Sequence, residues 1–95
     1  MKRVCKAVAC AETSCGTRGA ALSKNNAHGI MAWKNGQRYL RTFKNLDESY
    51  KACEELWDRV YQRLPDHKLA KKYTGNDHPE TWLKNFYLVY NNNTF

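Results

Sequence analysis

Glu12 closes the run Val4-Cys5-Lys6-Ala7-Val8-Ala9-Cys10-Ala11-Glu12, made mostly of small and apolar residues, and leads directly into Thr13-Ser14-Cys15-Gly16. A carboxylate at the point where a buried helix gives way to a loop is partly stripped of water. Desolvation disfavours its charged form and raises its pKa toward the range in which a carboxyl group donates a proton. The chemistry this position suggests is general acid catalysis, and the functional reading turns on it. The alternative is an ordinary helix-terminal surface glutamate.

The other reactive residue type is cysteine. Cys5, Cys10, Cys15 and Cys53 are an even number in a chain of 95 residues, a pattern compatible with one or two disulfides and an oxidising compartment. Their spacing does not match the close pairs of a structural zinc set, so no metal is expected. Four cysteines allow three complete pairings, and sequence does not select among them. Cys10 and Cys53 both fall in predicted helices, which makes a bridge between helices an expectation; the alternative is small buried hydrophobes with free thiols.

The elements that must position these groups follow from periodicity and punctuation. A first helix is expected from Lys2 to Thr13, with Val4, Val8 and Ala11 on one side and Cys5, Ala9 and Glu12 on another, broken by Gly16 and Gly19. Ala20 to Lys24 is expected to make a helical turn before the polar loop Asn25-Asn26-Ala27-His28-Gly29-Ile30. Asn35-Gly36 is a strong hairpin signal, because both central positions of a type I′ turn require positive φ. It predicts a ribbon between Met31-Ala32-Trp33 and Arg38 to Phe43. Asn45 with Glu48 reads as a capping box, with Asp47 as the other candidate cap, opening a helix that runs to about Leu64. Leu46, Tyr50, Cys53, Leu56 or Trp57, Val60 and Leu64 form its apolar side, which casts it as the central core helix. Pro65 stops it. A short helix over Asp66 to Tyr73 closes at Gly75, and Asp77 with Glu80 begins the last one, which packs through Trp82, Phe86 and Val89 or Tyr90 and ends at Asn91-Asn92-Asn93.

These elements make one mainly α (α+β) domain over residues 1-95, a helical domain with a small β-hairpin. Apolar residues at 42% and aromatics at 13% argue for a packed globule rather than a disordered basic tail. No stretch approaches the roughly 18 apolar residues of a membrane span, and the segment after Met1 lacks the apolar region of a signal peptide. If the protein is exported, a targeting segment precedes this chain or another route is used. A formal charge of +7 favours an anionic partner, whether nucleic acid, anionic lipid or cell-wall polymer, or serves solubility alone.

The run Ala7 to Gly16, followed by Asn25-Asn26-Ala27-His28-Gly29-Ile30, resembles the motif pair of the lysozyme-like peptidoglycan glycosidases, in their glucosaminidase and bacterial or phage lytic transglycosylase branch. In that superfamily an alanine-rich helix ends in the catalytic Glu, followed by Ser or Thr and a Gly, and an Asn-Asn-x-x-Gly-Ile-like loop lines the cleft. The similarity continues through Phe43 to Tyr50 and through Thr81 to Tyr90, in the expected order along nearly the whole chain. The resemblance implies a lysozyme-like fold, Glu12 as general acid/base and bacterial peptidoglycan glycan strands as substrate. It implies no cofactor, and an extracytoplasmic or phage-associated site of action, either alone or as part of a larger cell-wall enzyme or phage particle.

Candidate substrate contacts are Ser14, Asn25, Asn26 and His28, as hydrogen-bonding groups, and Trp33, Tyr39 and Tyr90, as stacking platforms for sugar faces. Each has a structural alternative: Ser14 as a local cap, the asparagines as loop braces, His28 as a structural loop histidine and the aromatics as core. Trp57 and Trp82 lean toward core by their helical spacing. Related glucosaminidases carry a second Glu on the ribbon, yet Met31 to Asn45 contains no Asp or Glu. Hydrolysis ordinarily uses two carboxyl groups facing each other across the sugar. A lytic transglycosylase needs one, so the departure favours an anhydro product, or else hydrolysis, as a muramidase or N-acetylglucosaminidase, in which polar groups hold the water or the substrate's own N-acetyl group assists. A third alternative is a fold of this kind that only binds glycan. A different class, a basic nucleic-acid-binding module, is suggested by Lys34, Arg38, Arg41 and Lys44 around an aromatic ribbon and by Lys68, Lys71 and Lys72. No recognised nucleic-acid motif accompanies them, so no specific nucleic-acid partner is expected.

Overall fold

The computed structural model describes residues 2–92. Helix α1 spans Lys2–Thr13, α2 Ala20–Ser23, α3 Leu46–Glu55, α4 His67–Thr74 and α5 Glu80–Asn92; strands β1 Met31–Lys34 and β2 Gln37–Leu40 form a two-stranded antiparallel sheet. The chain is thus mainly helical with one small ribbon, and α1 coincides with the expected span.

Helix α1, rather than α3, is the most enclosed element. It packs on α5 along one side and α3 along another, with Cys5, Ala7, Val8 and Ala9 all fully buried. Small side chains there let both neighbours approach closely on opposite sides. The outer core is aromatic. Tyr61, Tyr73, Trp82, Phe86 and Tyr90 contact one another in succession at ring-centroid separations between 5.6 and 6.1 Å, and Trp57 joins this series against Tyr61 and Tyr73.

Asn45 caps α3 as expected, with Glu48 N donating to Asn45 Oδ1 at 3.0 Å, while the Glu48 carboxylate accepts from Lys44 N, one residue before the cap, at 3.1 Å. The helix does not continue in α form to Leu64. Leu56–Tyr61 is a π-helical segment, closed by Gln62 in left-handed conformation with its N–H bonded to Trp57 O at 2.9 Å. An i→i+5 turn is wider than an α turn, so a residue four positions on remains on the same face. Cys53, Trp57 and Tyr61 therefore point inward, whereas Val60 and Leu64, expected inside, are 62% and 43% exposed.

Asn35 at φ 53° and Gly36 at φ 78° make the turn of the hairpin, with register Met31↔Leu40 and Trp33↔Arg38. β2 ends at Leu40, short of Phe43. Beyond it Arg41 N bonds Ile30 O at 3.0 Å and Phe43 N bonds Lys24 O at 2.8 Å, which draws Phe43 down onto the core. Asp66 caps α4 by accepting from Leu69 N at 2.8 Å, and Gly75 ends it at φ 71°. Asp77 lies before α5 and pairs with Lys71 at 3.4 Å rather than starting the helix. That helix continues through Asn91 and Asn92; Asn93 lies outside the described residues.

The cysteines form two bridges, Cys5–Cys53 and Cys10–Cys15. The inter-helix bridge is made by Cys5, not Cys10. Cys5 sits on the buried face of α1 toward α3, whereas Cys10 reaches the turn that follows its own helix. No helix among the described residues is long and apolar enough to cross a membrane.

Candidate active site

Glu12 occupies the last turn of α1, and the backbone after it is held tightly. Ser14, Cys15 and Gly16 all take positive φ, Cys15 N reaches back to Ala9 O at 3.2 Å, and the Cys10–Cys15 bridge staples the same turn. Thr13 is the hinge pin: its buried hydroxyl lies 2.8 Å from Ala27 O and accepts from Gly16 N at 3.1 Å. The end of α1 is thereby fastened to the loop that follows α2.

That loop is held by polar side chains, of which Asn26 and His28 are buried and hydrogen-bonded, as burial requires, and Asn25 is half-buried. Asn26 donates to Ile30 O and Arg41 O, both at 2.9 Å, and accepts from Ile30 N at 3.0 Å. Asn25 donates to Phe43 O and Lys44 O, each at 3.2 Å. His28 is enclosed, with Nε2 at 3.0 Å from Cys5 O and Nδ1 at 2.6 Å from Ser49 Oγ. Only a donor suits the carbonyl, so Nε2 carries the proton and the serine hydroxyl donates to Nδ1. Burial pushes the imidazole pKa down to about 4, against a smaller opposing effect of the Cys5 carbonyl. The Tyr73 hydroxyl donates to the carbonyl of His28.

These anchors carry the loop backbone across the carboxyl group of Glu12. Gly29, at φ 64°, has no side chain there for a concrete reason: a Cβ would stand 2.9 Å from Glu12 Oε2. From the other side Trp82 Nε1 donates to Glu12 Oε1 at 2.9 Å. Burial raises the Glu12 pKa, and the Trp82 hydrogen bond opposes the rise in part. The Tyr73 hydroxyl is held well above its usual range by burial first and by the Glu12 charge second.

Gly29 and Tyr73 also face a cleft of about 390 Å³. Its walls come from the ribbon (Met31, Trp33, Arg38, Arg41), from α3 and the π-helical segment (Glu55, Leu56, Arg59, Val60, Tyr61) and from α4 (Lys72). Arg38 is committed to structure: it donates to Tyr73 O at 3.3 Å and lies against Gly75, tying the ribbon to the end of α4. The arrangement offers a shielded carboxyl group with a raised pKa, beside an open groove that has one aromatic wall and several cations.

Of the residues singled out from sequence, Trp33 lines the cleft as a 70% exposed indole, whereas Glu12 is not part of the lining and lies behind Gly29, which is. Asn26 and His28 brace the loop from inside, and half-buried Asn25 ties it to the backbone of Phe43 and Lys44. Ser14 is exposed in the turn, where its carbonyl accepts from Thr17 Oγ1 at 2.7 Å. Tyr39 pairs with Ala32 on the opposite face of the ribbon from Trp33. Tyr90 lies at the other end of α1 from Glu12, with the Arg3 guanidinium 4.3 Å from its ring centre. Sequence reasoning missed Trp82 as the partner of Glu12, because its helical spacing with Phe86 reads as core, and missed Glu55 and Arg59 as cleft residues. The glycine in an otherwise polar loop was the available signal for close approach at position 29.

Among the described residues no group of three or more His, Cys, Asp and Glu is placed to hold a metal ion. No protein-family model, curated protein or solved structure matches this chain.

Proposed function

We propose that this protein cleaves the glycan backbone of bacterial peptidoglycan as a lysozyme-like lytic transglycosylase, with Glu12 as general acid and then base. The observation that carries the reading is the Glu12 carboxyl group, desolvated at the end of α1, held by Trp82 Nε1 and overlaid by the side-chain-free backbone of Gly29 at the cleft edge. A carboxyl group whose pKa is raised by burial can give its proton to the glycosidic oxygen as the bond breaks. The resulting carboxylate then removes the proton from the muramic C6 hydroxyl, which closes on C1 to give a 1,6-anhydro end. Trp33 supplies a platform for a sugar face. The two disulfides support action in an oxidising, extracytoplasmic compartment.

A hydrolytic version is favoured by one feature, Glu55, a carboxylate in the cleft lining contributed by α3 rather than by the ribbon. There it can serve as the base for an attacking water. A binding-only version, on glycan or nucleic acid, draws on the cations of the same cleft.

Mass analysis of fragments released from purified peptidoglycan by the wild type and by Glu12→Gln separates these readings. Glu12-dependent fragments ending in 1,6-anhydromuramic acid are expected. New reducing ends, lost in Glu55→Gln, would establish the hydrolase, and cleavage at wild-type rate by Glu12→Gln would remove the assignment altogether.

A further inference from the structure

The cleft beside Glu12 is charged asymmetrically. Arg38, Arg41, Arg59 and Lys72 line it against the single carboxylate of Glu55. These cations converge from the ribbon, the π-helical segment and α4, so no one helix face accounts for them as a solvated stripe. Arg38 is occupied by Tyr73 O, and the Arg41 guanidinium lies 4.6 Å from the centre of the Phe43 ring, a contact that fixes its position and leaves its N–H edge available. Among the described residues neither Arg59 nor Lys72 is in an ion pair, and both are exposed. The π-helical turn contributes directly: it buries Trp57 and leaves Arg59 on the cleft side with Val60 and Tyr61. Available cations on three walls of a groove raise the local concentration of an anionic ligand and favour charge-assisted hydrogen bonds to its oxygens.

We infer that Arg41, Arg59 and Lys72 form a carboxylate-recognising subsite, through which the cleft selects glycans bearing acidic substituents over neutral N-acetylated glycans of the same length. The inference rests on the glycosidase reading for its ligand class and on the cleft cations for its selectivity. In a peptidoglycan strand the carboxylates have two sources, the lactyl ether of a sugar that carries no peptide and, where a short peptide is joined to that group as an amide, the carboxylates of the peptide itself. Both present the same planar two-oxygen acceptor, which suits a guanidinium fork.

The test is a binding titration with Glu12→Gln, which removes cleavage from the measurement. The probes are a neutral N-acetylglucosamine hexamer, peptide-free and peptide-bearing peptidoglycan oligomers of matched length, and a single-stranded oligonucleotide. The carboxylated oligomers are expected to bind about tenfold more tightly than the neutral hexamer at about 0.05 M salt, the scale of two or three part-exposed charge contacts. That advantage should shrink severalfold at about 0.5 M salt. Adding Arg59→Gln and Lys72→Gln should abolish this preference for acidic over neutral oligomers, and an unchanged helical circular dichroism signal and melting temperature would show that the cleft remains folded. An advantage present without the peptide supports the inference with the lactyl group as source; one that needs the peptide supports it with the peptide as source. Equal affinity for neutral and acidic glycans, or an advantage that survives the double substitution, would overturn it. So would an oligonucleotide that outcompetes the acidic glycan. Selective binding with no Glu12-dependent fragments from peptidoglycan would instead remove the cleavage reading and leave the subsite standing.

Discussion

The indole N–H of Trp82 in α5 donates to the carboxylate of Glu12 at the end of α1, across 70 positions of sequence. A hydrogen bond to the charged form of an acid lowers its pKa, so Trp82 restrains the rise that burial imposes. It also fixes which way the carboxyl group points. Trp82→Phe keeps a ring against Phe86 but removes the donor. The alkaline limb of the pH–rate profile should then move to higher pH, because more of Glu12 stays protonated. The rate at the optimum should fall roughly tenfold, the scale of one lost orienting hydrogen bond. A limb that stays in place or moves to lower pH would contradict this role.

Gly29→Ala is expected to be worse than its size suggests. The new methyl would meet the Glu12 carboxylate at 2.9 Å, and φ 64° is costly for any residue with a Cβ. A stability loss of about 1–2 kcal/mol from the backbone alone is expected. Activity should drop further than stability, since the carboxyl group itself must shift. Urea unfolding and turnover measured on the same preparation check both parts; a variant with wild-type turnover would mean that Glu12 does not need its place under the loop.

His28 makes stability depend on pH in a defined direction. Its folded pKa of about 4 lies below the ordinary 6.5, so the unfolded chain takes up the proton first. Stability from this group is fully present above about pH 6.5 and is lost as pH falls toward 4, by about 3 kcal/mol for a shift of that size. His28→Gln should be less stable than wild type at pH 7, and the gap should close on acidification to pH 4. Parallel denaturant curves across that interval test it. A constant gap would show that the ring is not held neutral.

The two disulfides should separate stability from activity. Cys5–Cys53 is buried and closes a long loop, with a sequence separation of 48; losing it should cost about 4 kcal/mol on the loop-entropy scale. Cys10–Cys15 closes a short loop, with a separation of 5, worth about 2 kcal/mol on that scale, yet that loop contains Glu12. Replacing Cys5 and Cys53 with alanine should lower the melting temperature strongly, whereas replacing Cys10 and Cys15 should cut turnover more than melting. The reverse ranking would mean that the turn holds its shape without the bridge.

What was legible in the sequence was local. Asn35-Gly36 dictates its own positive φ values, Asn45 and Glu48 sit at capping distance by their spacing, and Gly75 is a helix stop wherever it falls. The features that escaped all depend on partners distant in the chain. An α-periodic reading puts Val60 and Leu64 inside, but the demand of Trp57 and Tyr61 for contact with Tyr73 is met by a wider turn. The pairing of Cys5 with Cys53 needed the relative placement of two helices. The same holds at the candidate site: the Glu12 position stands out from its alanine-rich approach, while Trp82 and the cations of three separate elements converge only after folding. Asn26 and His28 have the residue types of a binding loop, and burial turned them into its frame.

The three tryptophans occupy three different surroundings, and that gives the molecule its own optical labels. Trp33 is 70% exposed on the cleft wall, Trp57 is fully enclosed, and Trp82 at 9% touches the ionisable group of the site. Emission from Trp33 should dominate the red edge of the fluorescence spectrum and shift to shorter wavelength when a sugar covers it, while Trp82 responds to the charge state of Glu12. Occupancy of the groove and protonation of the acid can therefore be read from one unlabelled sample, with Trp57 as a silent internal standard.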